Sequence, residues 1–214
     1  MTAANAPLDL ALACRCGAVR GVATGVAPNV GNHAVCYCND CQAFAHVLDQ
    51  ADVLDANGGT DIFQMSPAQL RFTAGVERIE CLRLTSRGLL RWYASCCNTP
   101  IGNTMASAGV PFIGVVRAFF REPAGEALGP VRGRAFPESA TGDRAAIPRD
   151  GFPAFIMIAR VLALMLRWRL RGDQRRSPLF NPVTREPLSI PRVLTDAERE
   201  ELRRHVEAFA QRSR

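Results

Sequence analysis

The chain has 214 residues, 48% of them hydrophobic, which is ordinary for a globular protein of one domain plus an extension or of two small domains. Its net charge of +6 is uneven: residues 1–150 hold 13 arginines and 13 acidic residues, whereas residues 151–214 hold 13 and 7. Because no nucleic-acid-binding module accompanies this charge, we expect no nucleic-acid partner.

The N-terminal segment does not resemble a secretory signal. The stretch "MTAANAPLDLALAC" has no positively charged start, and Asp9 interrupts its short apolar part. We therefore expect a cytoplasmic location in a reducing environment. Disulfides are rare in such a compartment, and clustered cysteines more often bind a metal or carry out redox chemistry.

Short strands separated by turn residues are predicted for most of the first 120 residues. A helical pattern interrupts them over residues 41–54 and ends at the turn sequence "DANGGTD". The predicted strands cover residues 8–14, 17–26, 33–38, 60–65, 69–74, 79–85, 88–95 and 111–120. Strands at roughly ten-residue spacing are typical of an antiparallel, mainly β domain, which we predict over residues 8–120.

The composition changes near residue 121, where a predicted C-terminal extension begins and runs to residue 214. Residues 121–153 are rich in Pro, Gly and Ala and predict an irregular connection, and residues 154–172 have a clear helical pattern. A last helix is predicted after Thr195, because Glu198 follows it at the spacing of a capping box. The extension is therefore predicted to be α-helical.

The helix over residues 154–171 is apolar, but the sequence does not predict that it spans a membrane. Its longest uninterrupted apolar run covers only residues 161–166, between Arg160 and Arg167, whereas a transmembrane helix needs about 20 predominantly apolar residues. Two alternatives stay open. The helix packs on the β domain or on a second subunit, or it lies on a membrane surface with Trp168 and its arginines at the headgroups.

Seven of the eight cysteines fall in three short clusters, and Cys81 stands alone. The clusters are Cys14 and Cys16 in "CRCG", Cys36, Cys38 and Cys41 in "CYCNDC", and Cys96 and Cys97 in "SCCNTP".

The spacing of the middle cluster favours a metal site. Residues i and i+2 of a strand point to the same face, and a C-x-x-C turn also brings two sulfurs together, so Cys36, Cys38 and Cys41 can meet at one ion. Cysteines so close in sequence make strained disulfides. The alternative is a set of buried or redox-sensing thiols.

Three thiolates leave one position of a tetrahedral zinc ion open, as in catalytic rather than structural sites. With three thiolates the local charge is negative, which makes zinc a weak Lewis acid toward water but leaves it suited to holding another thiolate. The sequence therefore indicates a small-molecule thiol as substrate. A second zinc site joining "CRCG" to "SCCNTP" would stabilise the fold directly, since structural zinc contributes about 10–16 kcal/mol in finger peptides.

The ordered segments "CRCGAVRG", "CYCNDCQAF" and "CCNTPIGN" resemble the glutathione-dependent formaldehyde-activating enzyme and centromere protein V family. The resemblance covers residues 10–118 and implies an Mss4-like antiparallel β-tent. It also implies that Cys36, Cys38 and Cys41 hold a catalytic zinc, and that Cys14, Cys16 and Cys97 belong to a structural zinc site. The implied activity is that of a carbon–sulfur lyase acting on a glutathione adduct such as S-hydroxymethylglutathione.

One departure from the family's pattern affects the structural site. The first cysteine of the family's C-x-x-C-G-[ST]-P segment falls on Ala94, and Cys96 and Cys97 are adjacent instead. Neighbouring strand residues point to opposite faces, so both can bind one ion only if the backbone turns there. Asn98 tolerates the positive φ that such a turn needs. Recruitment of Cys81, or loss of the site, are the alternatives.

Histidines and arginines supply further candidates. His33 and His46 flank the middle cluster. Each could be a fourth metal ligand or a proton carrier; the alternative is an ordinary surface or capping residue. Arginine's planar fork suits the carboxylates of glutathione. Arg83, Arg87 and Arg91 are candidates for that contact, although solvated strand positions are the default interpretation. The competing class of function is a non-catalytic zinc module that binds a protein or membrane through the extension.

Overall fold

A computed structural model describes residues 6–121 and 123–212. The predictions made for the two termini and for the connection after residue 120 also include residues 1–5, 122 and 213–214, which lie outside the described residues. The described chain is mainly β. Its strands are β1 (Leu8–Ala13), β2 (Arg20–Val26), β3 (Asn32–Cys36), β4 (Thr60–Met65), β5 (Leu70–Ala74), β6 (Ile79–Arg83), β7 (Leu90–Ala94), β8 (Thr99–Thr104), β9 (Ile113–Val116), β10 (Gly133–Ala135) and β11 (Arg192–Val193). Its α-helices are α1 (Asn39–Val47), α2 (Gly125–Leu128), α3 (Ala154–Leu170) and α4 (Asp196–Arg212).

The strands form two sheets. The smaller has the order β1-β2-β5, and the larger has the order β10-β3-β4-β9-β8-β7-β6-β11. All pairs among β1 to β9 are antiparallel, as predicted, but β10 pairs parallel with β3 and β11 pairs parallel with β6. Both parallel edge strands come from the extension, where the sequence predicts an irregular connection and helices rather than strands, and its long connections permit parallel pairing.

Strand β8 was missed by the sequence prediction. It lies between β7 and β9 in the centre of the sheet, and all six of its residues are buried. Pro100 cannot donate a hydrogen bond, but it lies opposite Tyr93, where the register of β7 and β8 shifts in a bulge. At Gly102 a Cβ atom would lie 2.4 Å from the carbonyl oxygen of Gly114, so this close approach requires glycine. Because proline and glycine are unfavourable inside a central strand, the sequence pattern does not predict β8.

The main core lies between the two sheets. Leu12 of β1 packs there with Phe63, Trp92 and Ile113 of the larger sheet, and all four are almost fully buried. Burying each such side chain stabilises the fold by about 1.5–3 kcal/mol. Further apolar clusters join α1, α3 and α4 to strands of the larger sheet, and one of them contains cysteines of β3 and α1.

The extension packs closely on the preceding residues. It supplies β10 and β11, and Leu202 of α4 packs in one cluster with Phe44 of α1. The predicted capping box at α4 is confirmed: the Thr195 amide donates to the Glu198 carboxylate over 2.7 Å, and the Glu198 amide donates to the Thr195 hydroxyl over 3.2 Å. The division of the chain at residue 120 stays a prediction.

Helix α3 matches the predicted apolar helix and has 17 residues. Within the described residues, none of the helices has both the length and the apolar character needed to cross a bilayer.

Candidate metal centres

The structure brings four cysteines together where β1 ends and where β7 turns into β8. The sulfurs of Cys14 and Cys16 are 3.5 Å apart, that of Cys96 lies 3.8 Å from Cys14 and 3.3 Å from Cys16, and those of Cys96 and Cys97 are 3.9 Å apart. Sulfurs around one tetrahedral zinc, at about 2.3 Å from it, would lie about 3.8 Å from each other. This four-cysteine cluster therefore has the ligand number and spacing of a metal site.

A turn between β7 and β8 allows the adjacent Cys96 and Cys97 to join the same cluster. The amide of Cys97 donates to the carbonyl of Ala94 over 3.3 Å, and Asn98 has a φ of 54°. The prediction of a turn with positive φ at Asn98 is confirmed. Cys81 does not join the cluster: it is buried in the main core, and burial raises the pKa of its thiol to about 12.

The thiols of Cys96 and Cys97 differ in acidity. Burial raises the pKa of Cys97, but hydrogen bonds from the Thr99 hydroxyl and from the backbone at Cys16 outweigh it, and the pKa falls to about 6. Burial and hydrogen bonding with Cys16 raise the pKa of Cys96 to about 12. Cys97 therefore takes up a negative charge more readily than its neighbour Cys96.

The second cluster, which we call the cysteine triplet, consists of Cys36, Cys38 and Cys41. Cys36 ends β3, Cys38 caps the N-terminus of α1 and Cys41 lies in its first turn. The sulfurs of Cys36 and Cys38 are 3.4 Å apart, and all three lie within 4.8 Å of one another.

The predicted strand over residues 33–38 therefore ends two residues early. Cys38 converges on Cys36 as a helix cap rather than by strand alternation, and its sulfur accepts a hydrogen bond from the Cys41 amide over 3.4 Å. The positive end of a helix dipole stabilises thiolates placed there.

Arg91 of β7 lies beside the triplet, with only 1% of its surface exposed. Its Nη1 is 4.0 Å from the Cys41 sulfur, its Nη2 donates to the Asp40 carboxylate over 3.3 Å, and its guanidinium lies 5.5 Å from the centre of the Phe44 ring. A solvated position was the default expectation for Arg91, and it is wrong because β7 is a central strand with all five residues buried. The uninterrupted apolar neighbours of Arg91 are the signal that could have found it.

The acidity of the triplet is also uneven. Hydrogen bonds from Cys36 and Cys38 lower the pKa of the Cys41 thiol well below its usual range, and Arg91 lowers it further. The pKa of Cys36 is raised, first by its hydrogen bonds to Cys38 and Cys41 and then by burial. The triplet is therefore built to carry negative charge next to a fixed guanidinium.

Neither predicted histidine joins a cysteine cluster. The ring nitrogens of His33 contact the Gly129 carbonyl at 2.6 Å and the Asp61 carboxylate at 2.7 Å. Burial lowers the pKa of His33, but hydrogen bonding and charge attraction to Asp61 outweigh it, so the pKa is raised. Both partners are acceptors, which suits a protonated ring fixed between two elements of the fold.

Both clusters could hold a metal ion, and in the described residues neither contains a histidine or carboxylate ligand. All eight cysteines are free thiols, and the sulfur separations exceed the 2.05 Å or so of a disulfide. The four-cysteine cluster offers a complete tetrahedral set, whereas the triplet offers three ligands of four.

The fold and these sites define a mainly β protein with two cysteine clusters suited to metal binding. The chain belongs to a family of unknown function, DUF6151, whose model matches residues 8–187 and so includes both clusters and most of the extension, with α3. No curated protein matches the chain significantly.

Proposed function

We propose that both clusters bind zinc, with a structural ion at the four-cysteine cluster and a reactive ion at the triplet. The observation that carries this proposal is the difference in ligand number between two otherwise similar groups of converging thiols. Structural zinc sites are closed by four protein ligands, whereas reactive sites keep one position for a substrate or water. The proposed fold relationship is to the Mss4-like β-tent.

Zinc bound at the triplet would hold the sulfur of a small-molecule thiol as its thiolate. Residues of the chain set the charge around this open fourth position. Cys36, Cys38 and Cys41 supply three thiolates, which together with a divalent ion carry a net charge of −1. The buried guanidinium of Arg91, 4.0 Å from the Cys41 sulfur, offsets this charge and makes a further anionic ligand easier to accept.

The reaction that we propose is the making or breaking of a carbon–sulfur bond in an adduct of glutathione or another small thiol. In the forward direction the thiol sulfur bonds to an aldehyde carbon, and the thiol proton goes to the carbonyl oxygen. This proposal rests on the resemblance of the three cysteine motifs to the formaldehyde-activating family, with Cys36, Cys38 and Cys41 in the catalytic role and cytoplasmic glutathione as the natural thiol.

A cavity beside α1 offers arginines to the carboxylates of an anionic thiol, although none of the triplet cysteines lines it. It is lined by Asn39 and Asp40, which lie between Cys38 and Cys41, and by Arg199 and Arg203 of α4. These two arginines already pair with acidic residues of α4, but arginine can still donate further hydrogen bonds to a carboxylate. Arg91 is buried and therefore acts on the sulfurs rather than on substrate carboxylates.

The second candidate function is a non-catalytic zinc module that binds a partner through its extension. The exposed apolar face of α3 favours it, since such surfaces mark interactions. The fourth position at the triplet separates the two functions, because a module needs no exchangeable ligand there.

Cobalt substitution tests the proposal. In cobalt-loaded protein, glutathione should change the absorption bands of one of two sites, and Cys38→Ser should abolish that change while leaving the fold and the other site intact. Cys81→Ser is the matched control, because this buried thiol lies outside both clusters. Bands that do not respond to thiols would favour the module, and complete unfolding of Cys38→Ser would make the triplet structural.

A further inference from the structure

Helix α3 exposes a long apolar face. Every exposed side chain between residues 154 and 166 is apolar. The most exposed of these side chains are Phe155, Ile158, Leu162 and Leu166, at 72%, 57%, 58% and 59%. Their spacing of three or four residues places them on one side of the helix. A continuous row of exposed apolar side chains marks an interaction surface, so we expect the face to be covered in solution.

The charges around this face argue against a lipid surface as its partner. A helix that lies on a membrane carries Lys or Arg along the border of its apolar face. The charged residue in this part of α3 is Arg160, whose side chain turns inward and donates to the carbonyls of Pro28 and Gly31 over 3.1 and 2.8 Å. Arg167 and Arg169 lie only in the last turn.

The face is instead complementary to itself. Phe155, Leu162 and Arg169 follow each other at intervals of seven residues, the repeat of helix pairs that pack side by side. If two copies of α3 pack antiparallel with their Leu162 residues in contact, Phe155 of each copy lies opposite Arg169 of the other. A guanidinium over an aromatic ring is attractive, because its positive charge faces the negative face of the ring.

The position of Arg169 suits this contact. Its Nη1 donates to the Gly109 carbonyl over 2.6 Å, a hydrogen bond in the guanidinium plane that leaves the flat face for an aromatic ring. Ala159 and Ala163 are small, exposed residues near the middle of the helix, and they let a second helix approach closely. Antiparallel packing also sets the dipoles of the two helices in their favourable orientation.

We propose that α3 is the interface of a homodimer in which two copies of the helix pack antiparallel across a twofold axis at Leu162. Such an interface is isologous, so one apolar face serves both subunits. With 17 residues at about 1.5 Å each, the helix offers about 25 Å of contact length. The proposal is independent of any metal at the cysteine clusters.

The mass in solution tests the proposal. Sedimentation of the full chain should give twice its 23.3 kDa, and Leu162→Glu, which places two carboxylates at the twofold axis, should give monomers. The side chain of Leu162 is exposed, so this variant should keep its fold, as checked by circular dichroism and thermal unfolding. Ile190→Glu is the matched control, because Ile190 is 95% exposed but lies outside α3, and it should remain dimeric.

The antiparallel register has its own test. Phe155→Glu should remain dimeric, because the new carboxylate would face Arg169 of the second copy. The double variant Phe155→Glu with Arg169→Glu should be monomeric, since like charges would then face each other. Loss of the dimer in Phe155→Glu alone would overturn this register.

A monomeric wild-type protein, or a dimer that Leu162→Glu leaves intact, would overturn the interface. A monomer that floats with phosphatidylglycerol vesicles, and loses this property in Leu162→Glu, would assign the face to an anionic membrane surface instead.

Discussion

The two cysteine clusters have similar sulfur spacings but different surroundings. The four-cysteine cluster joins two turns that lie 80 residues apart in sequence, as the contact between Cys16 and Cys96 shows. The triplet is contained within six residues, at the N-terminus of α1 and against the buried Arg91. A metal in the first cluster would close a long loop of the chain, whereas a metal in the second would add little to chain connectivity.

This difference explains how one protein can use the same side chain for stability and for chemistry. Linking distant segments restricts the unfolded chain and so stabilises the fold. A local cluster with a missing fourth ligand contributes less to stability, but its buried charge can be offset and tuned by neighbours such as Arg91. The comparison predicts that variants of the two clusters will affect different measured quantities.

The largest expected effect is on stability at the four-cysteine cluster. Cys14→Ser should abolish cooperative thermal unfolding. Structural zinc contributes about 10–16 kcal/mol in finger peptides, which matches or exceeds the whole free energy of unfolding of a typical fold. Cys81→Ala, a buried cysteine outside both clusters, should keep a cooperative transition. A Cys14→Ser protein with the wild-type melting temperature would show that this cluster is not structural.

A smaller effect is expected at the triplet when its charge partner is removed. Arg91→Met should weaken metal binding there about 10- to 100-fold, as is typical when a group that hydrogen-bonds to a metal ligand is removed. Titration with a competing chelator should show one metal leaving earlier and the other unchanged. Arg87→Met is the control, because Arg87 is exposed, and its titration should match the wild type. Equal behaviour of the two variants would contradict the role of Arg91.

The turn that completes the four-cysteine cluster predicts a more modest change. Asn98 has a φ of 54°, a conformation that costs other L-residues about 1–2 kcal/mol. Asn98→Ala should therefore lower the free energy of unfolding by about 1 kcal/mol, whereas Asn98→Gly should leave it nearly unchanged or raise it. Urea unfolding of the metal-loaded protein measures both. An equal loss in the two variants would mean that the Asn98 side chain, rather than the turn, matters.

The smallest effect concerns β3, the strand that leads into the triplet. The pKa of His33 is raised in the folded protein, mainly because Asp61 outweighs the effect of burial. Its contribution to stability is therefore complete below the unfolded pKa of about 6.5 and is lost as the pH rises through the folded value. His33→Gln should flatten this pH dependence of the unfolding free energy, and Asp61→Asn should do the same. An unchanged slope in both variants would refute the assignment.

Sequence alone predicted the cysteine triplet well because the spacing of its ligands is a local property. The grouping of Cys36, Cys38 and Cys41, the turn at Asn98 and the capping box at Thr195 each depend on a few neighbouring residues. The mainly β architecture followed from the regular spacing of short apolar strands.

Features that depend on distant residues were not predictable in this way. Strand β8 contains a proline and a glycine that only its neighbours in the sheet accommodate. The burial of Arg91 follows from the central place of β7, and the parallel edge strands follow from the path of the extension. Cys38 reaches its cluster as a helix cap, a position that the C-x-C spacing does not distinguish from a strand.

The zinc content of the full chain, purified without chelator, and of its Cys36→Ser variant shows whether the chain holds two separate metal sites of different kinds. Elemental analysis should give two zinc ions per chain in the wild type and one in the variant, with the fold retained. Wild-type protein without zinc, or a variant that keeps both ions or loses both together, would contradict the account.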